Sequence, residues 1–149
     1  MKIYLAGRYA RRLELLEYAK TLSYLGHQYT SKWLDGDEEG KTQQEVAKMD
    51  FEHVREADMV LVFTDPYDSL QKGGGRHTEL GIGYALRKHV WIVGEREQVF
   101  HHLPGVKKFS SMGEVLTGLD VLKPAEHMIE PTFRGGDLNH RIDGARIFV

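Results

Sequence analysis

The sequence contains no cysteine, which excludes disulfide bonds and thiol nucleophiles and leaves the redox compartment open. It has no stretch approaching the roughly 20 apolar residues of a membrane span. Its first residues, MKIYLAGRYARR, hold no apolar run long enough for a signal peptide. We therefore expect a cytoplasmic protein without a membrane partner.

The chain also lacks a strong charge of either sign, because its net charge is only −2. This balance excludes a general surface for nucleic acid polymers or membranes. Hydrophobic residues make up 41% and charged residues 28% of the 149 residues, as in ordinary globular proteins. We expect a single domain over residues 1–149, in which 124–149 form an irregular, polar C-terminal tail.

Several catalytic and cofactor motifs are missing. AGRYAR is not a dinucleotide fingerprint, and the chain has no Walker loop, no GxSxG and no HExxH. The 8 histidines show no spacing that selects a metal, so we interpret them as surface or loop residues. We expect no cofactor and no metal.

Short apolar segments alternate with amphipathic ones along the chain. The segments that predict strands are KIYLAG, HQYTSKW, DMVLVFT, HVWIVG and KKF. Helices are predicted at RRLELLEYAKTLSYLG, TQQEVAKMDFEHVREA, GGGRHTELGIGYAL and SSMGEVLTGLDVL. This alternation predicts an α/β fold, a flavodoxin-like doubly wound parallel sheet of strand order 2-1-3-4-5 with helices on both faces.

Two helices carry an apolar stripe that should face the sheet. In the first, Leu15, Ala19 and Leu22 recur at helical spacing, and in the second we assign Ala47, Phe51 and Val54 to the inner stripe. A doubly wound sheet binds ligands beyond the carboxyl ends of strands 1 and 3, where the winding reverses. Those ends are AGRY and TDPYDSLQKGGGRHTE.

Glu79 is the first candidate in this region. We place it in the first turn of its helix, where the macrodipole would lower its pKa and keep it ionised as a nucleophile or ion-pair partner. The alternative is a solvated acid at a helix start, with Thr78 or His77 near the cap. Gly81 and Gly83 predict that this helix packs closely on the sheet or on a ligand. This favours a buried position for Glu79 over the solvated one.

Three aspartates are further candidates. Asp50 falls on the inner stripe of its helix, where a carboxylate must be paired or used, unless it sits at the edge of the stripe. Asp65 and Asp68 flank PY after the third strand. They either form a plain turn or face the ligand.

The remaining candidates would contact a ligand. Arg8 and Tyr9, just past Gly7, would grip an anion and stack on a ring. The free amides of GGGRHT, including Gly74, Gly75 and His77, would hold a phosphate. Tyr4 is either a core residue or part of the site, and Trp33 is either core or a lid for a planar ligand.

Three segments taken together resemble the nucleoside 2-deoxyribosyltransferase family and its relatives that hydrolyse deoxynucleoside monophosphates. They are KIYLAG, AKMDFEHVREADMVLVFTD and GGRHTELGIGYAL, and the similarity covers roughly residues 2–110. The resemblance implies cleavage of the N-glycosidic bond between a base and 2-deoxyribose. It also implies a nucleoside or nucleotide as the small-molecule partner, and a homo-oligomer.

The resemblance also assigns roles to residues. The nucleophilic glutamate of the family matches Glu79, its strand-1 tyrosine matches Tyr4, and its helix aspartate matches Asp50. The acid in the loop before the nucleophile matches Asp68, with Asp65 as the second choice. The deoxyribosyl group would then pass from Glu79 to another base or to water. The alternative is a nucleotide-binding or sequestering module of the same fold without catalysis.

Overall fold

The computed structural model describes residues 1–65 and 73–122, and the structure below is that of these residues. Their centre is a parallel sheet in the order β2-β1-β3-β4-β5. The strands are β1 (Lys2–Ala6), β2 (Gln28–Tyr29), β3 (Met59–Phe63), β4 (His89–Val93) and β5 (Lys107–Phe109). The predicted fold class and strand order are therefore confirmed. Asp68 and the predicted tail at 124–149 lie outside the described residues.

Helices cover both faces of the sheet. They are α1 (Arg12–Tyr24), α2 (Gln43–Glu56), α3 (Gly75–Ala85) and α4 (Met112–Val121). The Tyr18 ring of α1 stacks on Phe63 at 5.5 Å between centroids, and Gly118 of α4 lies against Trp91. On the other face, α2 packs beside α3. There Gly83 of α3 lies against Val60 of β3 and close to Val54 of α2.

The register of the central strands decides where Tyr4 points. Tyr4 pairs with Val60 across the β1–β3 ladder, and residues paired across a ladder share one face of the sheet. Val60 packs against α3, so the fully buried Tyr4 side chain also points toward α2 and α3. The alternation of side chains along β1 thus carries a phenol to the two helices that hold Asp50 and Glu79.

The apolar stripe of α1 is confirmed, whereas the stripe assigned to α2 is wrong in two of its three residues. Leu15, Ala19 and Leu22 are all fully buried. In α2, Val54 is buried, but Ala47 and Phe51 are exposed. The stripe instead follows the direction of Val54, and Asp50, four residues earlier, lies on that same side.

The two helix glycines play different parts. A Cβ at Gly83 would overlap Val60, so close packing of α3 on the sheet requires glycine there. A Cβ at Gly81 would meet no described heavy atom within 4 Å. Close packing on the sheet is therefore confirmed at Gly83, whereas Gly81 does not pack on the sheet among the described residues.

The interpretation of the histidines as surface or loop residues is also wrong for two of them. His89 in β4 and His101 in the 3-10 helix Val99–His102 are both fully buried. No helix among the described residues has the length and apolar character needed to cross a membrane. Residues 1–65 and 73–122 contain no cluster of three or more histidine, aspartate or glutamate side chains that could hold a metal ion.

Candidate functional site

A cleft of about 430 Å³ opens beyond the carboxyl end of β1, beside the start of α3. We call it the strand-end cleft. Its walls come from the residues after β1, the segment after β2, α2 and the start of α3. The lining residues are Gly7, Arg8, Tyr9, Ala10, Trp33, Glu38, Asp50, Gly73, Gly75, Arg76 and Glu79.

Tyr4 and Glu79 are joined at the floor of this cleft. The Tyr4 hydroxyl donates a hydrogen bond of 2.7 Å to Oε1 of Glu79. Burial and then the nearby carboxylates of Glu79 and Asp50 raise the pKa of Tyr4 far above its ordinary value, so the phenol keeps its proton. A permanently protonated phenol fixes the direction of the Glu79 carboxylate through Oε1.

Glu79 does not occupy the predicted position in its helix. Because α3 begins at Gly75, Glu79 is the fifth helical residue, one turn beyond the first. Burial raises its pKa to about 7, although the Tyr4 hydrogen bond acts in the opposite direction. The predicted lowering of this pKa by the helix terminus is therefore wrong, because desolvation outweighs a dipole effect that fades within the first turn.

Asp50 reaches the same cleft from α2. Burial and then the charge of Glu38 raise its pKa to about 6, while the neighbouring Tyr4 hydroxyl favours the ionised form. Its Oδ1 atom is buried without a hydrogen-bond partner among the described residues. Two carboxyl groups with raised pKa values thus face one cleft, and one of them has a buried oxygen available to a ligand.

Two further residues of the cleft were not singled out from the sequence. Glu38 lies in a polar loop whose letters, LDGDEEGK, indicate only a turn, yet its charge acts on Tyr4, Asp50 and Glu79. The sequence indicates Arg76 only as one residue of the GGGRHT segment, although its side chain is among the buried charged groups. No pattern in the sequence distinguishes Glu38 from the acids beside it.

The aromatic residues form one wall of the cleft. The indole N–H of Trp33 donates to the carbonyl oxygen of Leu5 at 3.0 Å, and Trp33 is buried. It also lines the cleft, with the exposed Tyr9 ring 6.4 Å away between centroids and inclined by 37°. Trp33 is therefore a core residue at the edge of the cleft, and its role as a lid for a planar ligand stays a prediction.

Asp65 does not line the strand-end cleft; its carboxylate is surrounded by three arginines. It forms an ion pair with Arg8, and its carboxylate lies 3.6 Å from both Arg11 and Arg76. Asp65 instead lines a neighbouring cavity beside β3 and β4. Its buried carboxylate therefore orients the guanidinium groups of Arg8 and Arg76, both of which line the cleft.

The other predicted ligand-binding residues divide into two groups. Gly7, Arg8, Tyr9 and Gly75 line the cleft, whereas Gly74 is the residue that precedes α3. His77 lines a different cavity, and its ring also contacts His101 and Glu97. The roles assigned to all of these residues stay predictions.

The fold of the described chain is shared with nucleoside 2-deoxyribosyltransferases and nucleotide N-glycosidases, which confirms the resemblance drawn from the sequence. No protein-family profile matches the chain, and no curated protein matches it by sequence. The likeness therefore rests on solved structures.

Three of these structures match over most of their length. The 2-deoxyribosyltransferase from Bacillus psychrosaccharolyticus is 25% identical, with a TM-score of 0.60 over 88% of this chain and 98% of that one. The CMP N-glycosidase BcmB from Clostridium botulinum is 17% identical, with a TM-score of 0.57 over 82% of this chain and 100% of that one. BlsM is 16% identical, with a TM-score of 0.55 over 91% of this chain and 93% of that one.

Proposed function

We propose that the protein cleaves the N-glycosidic bond of 2′-deoxynucleosides or their monophosphates, with Glu79 as the nucleophile. The observation that carries this proposal is the pair of carboxyl groups, Asp50 and Glu79, facing one cleft around the Tyr4 hydroxyl. Glycosidic bonds are cleaved with retention by this kind of pair, in which one acid attacks and the other moves a proton.

The first half-reaction releases the base. One carboxylate oxygen of Glu79 forms a bond to C1′ while the bond from C1′ to the base nitrogen breaks. The bonding electron pair leaves with the base, and protonated Asp50 supplies the proton that neutralises it. Since 2-deoxyribose lacks a 2′-hydroxyl, the positive charge that develops on the sugar forms more easily, and ionised Glu79 stabilises it.

The second half-reaction restores the acid pair. Water or a second base attacks C1′, the ester bond to Glu79 breaks, and Glu79 recovers its carboxylate electrons. The ionised Asp50 accepts the proton of the attacking group. Water gives hydrolysis and a base gives exchange, so the acceptor decides between N-glycosidase and transferase activity.

The cleft also supports the subgroup of substrates that carry a 5′-phosphate. Arg8 and Arg76 line it, and their positive charges complement a phosphate dianion. Trp33 and Tyr9 provide ring surface for the base. A nucleoside monophosphate would therefore place its phosphate near the arginines and its glycosidic bond near Glu79.

The direct test compares each 2′-deoxynucleoside with its 5′-monophosphate and measures the released base by chromatography. We expect base release by the wild-type protein and none by Glu79→Gln or Glu79→Ala. Glu95→Gln, in an exposed residue paired with Lys108, is the matched control and should retain wild-type turnover. Base release by Glu79→Ala at the wild-type rate would overturn the assignment of the nucleophile.

The second candidate is a module that binds a nucleotide without cleaving it. The raised pKa of Glu79, about 7, favours this alternative, because Glu79 is protonated in most molecules below neutral pH and a protonated carboxyl group is a poor nucleophile. Calorimetry that detects nucleotide binding, together with chromatography that detects no free base over hours, would establish the binding module instead.

A further inference from the structure

Glu97 lies outside the strand-end cleft but holds one of its arginines. It follows β4, just before the 3-10 helix Val99–His102, and its side chain is only 16% exposed. Oε1 accepts a hydrogen bond of 2.6 Å from the backbone N–H of Asp65. Oε2 accepts one of 2.8 Å from Nη2 of Arg76. One carboxylate therefore ties the end of β3 to the first turn of α3.

Two histidines connect the backbone of Glu97 to its own carboxylate. The backbone N–H of Glu97 donates to Nδ1 of His101 at 3.0 Å, so the proton of the His101 ring lies on Nε2. That proton points to Nδ1 of His77 at 3.2 Å, which in turn places the His77 proton on Nε2. Nε2 of His77 lies 3.2 Å from Oε2 of Glu97, so this series of contacts ends beside the carboxylate.

Both imidazoles act here as neutral rings. Burial and then the neighbouring His77 lower the pKa of His101 to about 4. Burial and then the Arg76 charge lower the pKa of His77. A neutral ring can donate once and accept once, and hydrogen bonds use both nitrogens of His101 and Nδ1 of His77, while Nε2 of His77 lies beside Glu97.

The consequence for the cleft concerns Arg76. This side chain is buried, lines the cleft, and is fixed on two sides, by Glu97 through Nη2 and by the carbonyl of Gly73 through Nη1 at 3.0 Å. Its third neighbour is Asp65, which also pairs with Arg8. If Glu97 were neutral, Arg76 would turn toward Asp65 and compete with Arg8 for that carboxylate.

We propose that Glu97 is a positioning residue that holds Arg76, and through Asp65 also Arg8, in the arrangement that binds the phosphate of a nucleotide. This inference rests on the proposed function, in its monophosphate form. Glu97 touches neither the sugar nor the acid pair in this arrangement. Its loss should therefore weaken phosphate recognition and leave the chemical step unchanged.

The test is Glu97→Gln, which keeps the shape of the side chain but turns an N–H group toward Arg76 or Asp65. We expect KM for deoxynucleoside 5′-monophosphates to rise about tenfold or more, the loss of a charged hydrogen bond, with kcat within twofold. KM for the corresponding nucleosides should not change. Glu95→Gln, two residues away and paired with Lys108, is the matched control and should leave both constants unchanged.

A double-mutant cycle identifies the route of the effect. If Glu97 acts mainly through Arg76, Glu97→Gln should raise monophosphate KM by a smaller factor in an Arg76→Gln background than in the wild-type background. Equal effects in both backgrounds would overturn the inference, as would equal losses for nucleosides and monophosphates. If Glu97→Gln does not fold, Glu97→Asp provides the same comparison, because it keeps the charge but withdraws it from Arg76 by one methylene.

Calorimetry with inorganic phosphate and with the four common 2′-deoxynucleoside 5′-monophosphates separates this inference from the proposed reaction. Binding that is weakened by Glu97→Gln, in a protein that releases no base, would retain the positioning role and reject the chemistry. Base release from monophosphates with unchanged binding by Glu97→Gln would retain the chemistry and reject the positioning role. A wild-type protein that binds none of these ligands would also reject it.

Discussion

The Tyr4 hydroxyl donates a 2.7 Å hydrogen bond to Glu79 across 75 positions of the sequence. β1 supplies the donor and α3 supplies the acceptor. Gly83 allows α3 to pack closely on the sheet by leaving room for Val60 of β3. The local packing of the helix on the sheet thus sets the direction of the proposed nucleophile.

Tyr4→Phe removes this hydrogen bond and little else. We expect kcat to fall roughly 10- to 100-fold, since a hydrogen bond to a charged group contributes about 1.5–3 kcal/mol. The pKa of Glu79 should rise further, because the Tyr4 hydrogen bond lowers it in the wild-type protein. Steady-state kinetics would check this, with Tyr84→Phe, a tyrosine of α3 that donates to the Pro104 carbonyl, as the control. Equal effects of the two variants would contradict a specific role for Tyr4.

The pH dependence should follow the acid pair. Asp50 and Glu79 have raised pKa values of about 6 and about 7, and the reaction needs Glu79 ionised with Asp50 protonated. Because the pKa of Glu79 is the higher one, this form is the less populated of the two one-proton states, and it exists only while the pair holds one proton. The value of kcat/KM should therefore rise through the lower apparent pKa and fall through the upper one. The profile is best measured with a nucleoside, because a phosphate group titrates near pH 6 itself.

Asp50→Asn tests the assignment of that profile. It should abolish the decline at high pH and leave a single rise with Glu79, together with a lower plateau. Glu52→Gln, in the same helix but paired with Arg55 at the surface, should keep the bell shape. A bell that survives Asp50→Asn would mean that a different group supplies the proton.

The folded protein should be more stable with Glu79 protonated, whereas the reaction needs Glu79 ionised. Its pKa in the folded protein, about 7, lies above the ordinary value of 4.5, so stability is lost as the pH rises through this interval. At pH 8, Glu79→Gln should therefore increase the free energy of unfolding by on the order of 1–3 kcal/mol. Urea denaturation at pH 8 and pH 5 would measure it. A gain that does not shrink at pH 5 would contradict the electrostatic origin.

Gly81 and Gly83 of α3 provide a matched pair of substitutions that test packing. Gly81→Ala should stabilise the protein by about 0.5–1 kcal/mol, because a Cβ there meets open space among the described residues and alanine favours the helix. Gly83→Ala should destabilise it and reduce turnover, since the Cβ pushes α3 away from Val60 and Glu79 away from Tyr4. Thermal melts and kinetics of both variants would check this, and equal effects would refute the packing argument.

Much of the fold could be predicted because its signals are local. The valine-rich DMVLVFT is typical of a strand covered on both faces, and β3 is indeed fully buried. The alternation of elements predicts a parallel sheet, and the order 2-1-3-4-5 is one of the few that right-handed crossovers allow. The predicted stripe of α2 is wrong because residues at helical spacing can be found on more than one face of this helix. Only the position of the sheet shows that the inner face is the one that carries Val54 and Asp50.

The site was less accessible from the sequence because its contacts join distant segments. The resemblance located Tyr4, Asp50 and Glu79, but the pKa of Glu79 depends on burial and on where α3 begins, and Gly74 at that boundary provides no side-chain cap. The contact between Glu97 and Arg76 spans 21 positions and has no local signature.

The most direct measurement is mass spectrometry of the intact protein after brief incubation with deoxynucleosides or their monophosphates, followed by peptide mapping. We expect a transient deoxyribosyl adduct, or its 5′-phosphate form, on the peptide that contains Glu79, and no adduct in Glu79→Gln. Base release without any adduct on that peptide, or an adduct on another carboxylate, would contradict the proposal that Glu79 attacks the sugar.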